Sequence, residues 1–86
     1  MATLFKRSTL GIIVEMVLYL KPYANGYEVF GMDKEGRKVI IVRRKDLELC
    51  MADAANGAQF LANFKKKTVQ LNILSERVEE FYPEND

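Results

Sequence analysis

Two runs of cations, Arg43-Arg44-Lys45 and Lys65-Lys66-Lys67, and the rings of Tyr19, Tyr23, Tyr27 and Phe30 are the residues of this chain whose types could do chemistry. Lysine and arginine meet phosphates, and aromatic rings stack on bases, so together with Arg37 they form a candidate nucleic-acid surface. Tyr19, Tyr23 and Tyr27 at a barrel mouth or a dimer cleft would instead line a pocket for a nucleotide or metabolite. Geometry limits the first idea. Arg43 and Arg44 on a strand point to opposite faces, and three lysines fit the end of a helix, where positive charge offsets exposed carbonyls.

Catalysis has less to stand on. The chain has no histidine, which removes the commonest general base and the commonest metal ligand together. Cys50 is the single cysteine and falls on an apolar helical stripe, where it reads as a small buried hydrophobe. The carboxylate pairs Asp33/Glu35 and Glu79/Glu80 lack the spacing of a calcium loop, and the glycines are scattered singly rather than gathered into a phosphate loop. The expectation is therefore no catalysis, no metal and no cofactor.

The elements that would position these residues begin with a meander over residues 9–45. Lys21-Pro22-Tyr23-Ala24-Asn25-Gly26 carries the proline and Asn-Gly chemistry of a chain reversal, and Asp33-Lys34-Glu35-Gly36 is a second polar turn. They predict antiparallel strands at roughly 9–21, 26–33 and 36–44, after a flexible lead-in over residues 1–8. The first of these strands is apolar on both sides: Leu10, Ile12, Val14, Met16, Leu18 and Leu20 on one, Ile13, Val17 and Tyr19 on the other. Val39 to Val42 are apolar in succession as well, so the sheet asks for cover on both faces.

Asp46 is a ready N-cap for a helix over residues 46–66. Leu47, Cys50, Met51, Ala54, Ala58, Leu61 and Ala62 keep helical phase through Asn56-Gly57, which favours one helix; a break at that pair is the alternative. Residues 67–74 alternate polar and apolar as a half-buried strand does. Ser75 then caps a short helix over residues 75–82, in which Val78, Phe81 and Tyr82 share a face, ahead of a frayed tail at 83–86.

The stretch Gly26 to Glu48, GYEVFGMDKEGRKVIIVRRKDLE, resembles the aromatic-rich hairpin, charged turn and arginine-ending strand of the WYL domains, Sm-like barrels of regulatory proteins. Tyr27-Glu28-Val29 stands in place of the tripeptide that names that family, and no functional residue carries over. The resemblance implies a curled, barrel-like sheet.

The whole predicts a single α+β domain: a twisted antiparallel sheet of three to four strands, packed by one long helix and followed by a short C-terminal one. With 49% hydrophobic and 29% charged residues, the composition is that of an ordinary globular domain. The most hydrophobic window, Leu10 to Leu20, contains Glu15 and is too short to span a bilayer, and one cysteine suits a reducing cytoplasm. The net charge of +1 hides nine basic against four acidic residues up to Lys45, and four against eight thereafter. These readings favour a small regulatory interaction module that binds and modulates another protein, of the kind found among phage and mobile-element inhibitors. Homodimerisation through the sheet is expected, and nucleic-acid and small-ligand binding are the alternatives.

Overall fold

Residues 6–84 are described by the computed structural model of the protein. The elements run α1 (Arg7–Gly11), β1 (Val17–Tyr23), β2 (Gly26–Met32), β3 (Lys38–Arg44), α2 (Leu47–Lys65), β4 (Val69–Ile73) and β5 (Arg77–Phe81). The strands form one open five-stranded sheet in the order β3-β2-β1-β4-β5. The α+β class holds, but the barrel-like closure and the all-antiparallel sheet do not. β1 pairs antiparallel with β2 and parallel with β4, so the chain leaves the β3 edge, crosses the sheet as α2 and returns beside the central strand.

α2 starts where Asp46 accepts the Leu49 amide at 3.0 Å, and it is continuous through Asn56-Gly57. Gly57 lies on its buried face with Leu61 and with Cys50, Ala54, Ala58 and Ala62, whose small side chains suit close packing of a helix on a sheet. Leu18 and Leu20 of β1, Val29 of β2 and Val69, Leu71 and Ile73 of β4 meet it there, nearly all of them fully buried. At the far end Lys66 takes a left-handed conformation, φ 60°, and closes the helix.

The first predicted strand is shortened. Residues 7–11 are helical rather than extended, and β1 begins only at Val17. Leu10 and Ile13 are buried while Ile12 and Val14 stand about half exposed, a spacing of three rather than two. Ile13 sits over Gly31, where a Cβ would lie 2.8 Å from two of its atoms, so the segment caps the same sheet face as α2. Of the predicted flexible lead-in, residues 1–5 fall outside the described part and Arg7 and Ser8 belong to α1.

The predicted C-terminal helix is also absent: residues 77–81 are β5, paired with β4 from Ile73↔Arg77 to Val69↔Phe81. The reversal is a three-residue loop, 74–76, in which Leu74 and Ser75 both have positive φ, 55° and 58°, with Glu76 N–H bonded back to the Ile73 carbonyl at 2.9 Å. Such turns favour Asn-Gly, and neither residue here announces one. Ser75→Gly should stabilise the protein by less than about 1 kcal/mol, because glycine adopts this φ without steric cost but gives up the exposed hydroxyl that accepts from Lys21. Chemical denaturation of the pair checks it. Beyond β5, Gln59 donates to the Tyr82 carbonyl at 2.8 Å and the Glu84 amide donates to Asn63 at 2.9 Å, so Tyr82 to Glu84 are fastened to α2 instead of frayed. Residues 85–86 of the predicted tail lie outside the described part.

Candidate functional site

One face of the sheet carries α1 and α2; the other has no covering element among the described residues. Side chains alternate along each strand, and Leu18 and Leu20 turn to the helix, so Val17, Tyr19, Lys21 and Tyr23 turn away from it. The register then brings Glu28, Phe30 and Met32 of β2, and Lys38, Ile40 and Arg43 of β3, to the same open side. On the far flank it adds Gln70 and Asn72 of β4 with Val78 and Glu80 of β5.

Glu28 organises this face. It is 1% exposed, and its carboxylate accepts from Lys38 Nζ at 2.6 Å and from Arg43 Nε at 3.1 Å. Burial pushes the Glu28 carboxyl up, but the hydrogen bonds from Lys38 and Arg43 and their charges outweigh it, and the net shift is below the ordinary 4.5. Both cations also cover rings: Lys38 Nζ lies 4.5 Å from the centroid of Phe30, and Arg43 Cζ 4.0 Å from that of Tyr23. Tyr19 stacks on Phe30 with centroids 5.3 Å apart and planes at 23°. Lys21 reaches across β4 to the Ser75 hydroxyl. Tyr19, Lys21, Phe30 and Met32 line a shallow depression of about 410 Å³ with Glu15 at its rim.

Of the residues singled out by sequence, Tyr19, Tyr23, Phe30 and Arg43 share this face. Tyr27 and Arg44 do not. Tyr27 packs against the core, and Arg44 Nε bonds Asp53 Oδ2 of α2 at 2.6 Å on the helix side. Arg37 closes the β2–β3 turn through Asp33 and Glu35, at 3.3 and 3.0 Å. Lys65 donates to the Gly11 carbonyl at 3.0 Å, while Lys66 and Lys67 are exposed beyond the helix. Since α2 runs from the end where β3 finishes to the end where β4 begins, the two cationic runs lie at opposite ends of the sheet, about 28 Å apart along a helix of this length. They do not form one patch. At the β1–β2 turn Tyr23, Tyr27, Arg43, Arg44 and Lys45 do surround a hollow of about 240 Å³.

No family model, curated protein or solved structure matches this chain.

Glu28 and Lys38 were not singled out as site residues by sequence, although the signal existed. Across a tight reversal after Tyr23, odd positions of β1 pair with even positions of β2, which groups Glu28 and Phe30 with Tyr19 and Tyr23 and excludes Tyr27. Cys50 is buried, and burial first and Asp53 second push its thiol up, away from a reactive thiolate. Among the described residues no group of histidine, cysteine or carboxylate side chains could hold a metal ion, and no helix is long and apolar enough to cross a membrane.

Proposed function

We propose that this protein is a non-enzymatic interaction module that contacts and modulates another protein through the open face of its sheet. The supporting observation is that one helical layer covers one side of five strands, while Val17, Tyr19, Phe30, Met32, Ile40 and Val78 remain together on the other. An apolar and aromatic centre rimmed by fixed charges is the anatomy of a protein-contact surface. The Glu28 network holds the charges in place before binding, which lowers the ordering cost of association.

Nucleic-acid binding is the second reading, favoured by Lys21, Lys38 and Arg43 beside three aromatic rings on this face. It is weakened by Glu28, which is bonded to two of those cations, and by Lys38, which occupies the ring face of Phe30 that a base would need. Affinity capture with the tagged protein, with and without nuclease, separates the two. Tyr19→Glu should abolish capture of a nuclease-resistant partner, whereas Glu48→Lys on exposed α2 should leave it intact. Retention of the partner by folded Tyr19→Glu would remove the open face as the contact surface. Loss of the captured material on nuclease treatment, together with steep weakening by salt, would replace the protein partner with a nucleic acid.

A further inference from the structure

Strand order gives the open face a symmetry of its own. β1 is the middle strand of five, with β3 two places to one side and β5 two places to the other. A two-fold axis parallel to β1 and lying between two stacked sheets therefore carries β3 onto β5 and leaves position along the strands unchanged. The register tells which residues then meet. One row across the face reads Ile40, Phe30, Tyr19, Asn72, Val78. The adjacent row, two residues further along each strand, holds Lys38 and Met32 on the β3 side, Val17 on the central strand, and Gln70 and Glu80 on the β5 side.

Under this operation Ile40 falls over the partner's Val78, Lys38 over the partner's Glu80, and Tyr19 over the partner's Tyr19. The basic edge of each copy meets the acidic edge of the other, in both halves of the contact. Val78 is 53% exposed, a large apolar side chain left open on an edge strand. Glu80 is exposed as well and accepts from the Tyr82 hydroxyl at 2.6 Å. The acidic edge also argues against a polyanion lying across the whole face.

We propose that a second copy of this chain occupies the open face, stacked sheet to sheet about an axis parallel to β1, with Lys38 of each copy paired to the partner's Glu80. The proposal rests on the reading of that face as a protein-contact surface and names its occupant. Five strands about 4.8 Å apart and about 20 Å long present roughly 500 Å² per copy, on the order of 1,000 Å² in total. That is the lower limit for a specific interface, so the dimer dissociates reversibly on dilution.

Light scattering or sedimentation equilibrium over a concentration series of the full chain tests this. The wild type is expected to pass from monomer to dimer. Glu80→Lys, at an exposed site outside the core, raises the dissociation constant at least tenfold, and Val78→Asp does the same; Glu48→Lys on α2 leaves it unchanged. Lys38→Glu is expected to be monomeric alone and to re-form a dimer when mixed one-to-one with Glu80→Lys, because each contact then again pairs opposite charges. Should Lys38→Glu fail to fold beside Glu28, as circular dichroism would show, the two exposed variants decide. A wild type that remains monomeric at hundreds of micromolar, or a dimer indifferent to both Glu80→Lys and Val78→Asp, overturns the proposal. A monomeric wild type whose partner capture still depends on Tyr19 overturns only the second copy as occupant. Retention of the captured partner by folded Tyr19→Glu removes the reading of this face as the contact for another protein, and the Val78 and Glu80 variants then decide the second copy alone.

Discussion

Gly26→Ala is expected to destabilise the protein by about 2–4 kcal/mol, although the residue lies at the surface end of β2 and its φ is ordinary. A Cβ built there would stand 2.5 Å from the Arg44 carbonyl oxygen and 2.8 Å from Lys45 Cα, both of them backbone atoms. A flexible side chain could swing aside; this stretch cannot, because Arg44 is paired with Tyr27 in the ladder and with Asp53 of α2, and Asp46 caps the helix two residues on. The added methyl group therefore pushes the β1–β2 turn away from the β3–α2 junction and loosens both. For a domain of this size the loss should lower Tm by about 10–25 °C, read directly by thermal melting. Gly36→Ala, in the β2–β3 turn with φ 78° and open space where its Cβ would go, should cost only about 1 kcal/mol, for conformation alone. The ratio of the two losses isolates close approach from backbone strain.

What the sequence made legible was governed by local rules. Asp46 as a cap and the stripe from Leu47 to Ala62 depend on neighbours within a few turns, and they define α2. The alternation over Val69 to Ile73 depends on solvent on one side, and it defines β4. Errors arose where two periods fit the same residues. Leu10, Ile12 and Val14 alternate like a strand, but Leu10 and Ile13 are the buried pair, and the sequence cannot say that Gly31 leaves room for Ile13. Val78, Phe81 and Tyr82 fit a helical face equally well, yet two left-handed residues at Leu74 and Ser75 turn the chain into an edge strand. The parallel pairing of β1 with β4 joins segments some fifty residues apart, and no local pattern encodes it.

The site was legible in kind rather than in membership. Aromatic and basic residues were the right types, but their usefulness depends on which side of the sheet each takes. Parity along β1 and β2 carries that information for Tyr19, Tyr23 and Tyr27, but the expected pocket grouped all three, and Tyr27 falls on the helix side. For Arg43 and Arg44 an irregularity intervenes, because the β2–β3 register shifts between Val29 and Phe30, and the parity of β3 cannot be counted across it. Lys38 and Arg43 both reach Glu28 as a result, five residues apart in sequence and on one carboxylate.

That shared carboxylate gives the second large effect. Glu28→Gln should cost about 2–3 kcal/mol at neutral pH: two charge-assisted hydrogen bonds of about 1.5–3 kcal/mol each, discounted because Lys38 and Arg43 regain water when released. Their side chains are 51% and 50% exposed against 2% for Glu28, which is why the loss falls short of that for a fully buried ion pair. The sign of the pH dependence follows from the depressed pKa. A carboxyl held below its ordinary value of 4.5 contributes stability that is present above that value and is lost as pH falls through the folded-state pKa. Wild type should therefore lose stability on acidification below about pH 4.5 while Glu28→Gln loses less, the two unfolding free energies drawing together as pH falls through the folded-state pKa. Asp33, whose carboxyl is also held below its ordinary value, first by the Arg37 amide, is common to both proteins and cancels in their difference. Equal unfolding free energies for the two proteins at neutral pH would mean that Glu28 acts by filling space, which glutamine does equally well, rather than by its charge. The rings held by Lys38 and Arg43 would then keep their places without it, and the open face would owe its order to the stacking of Tyr19 on Phe30 alone.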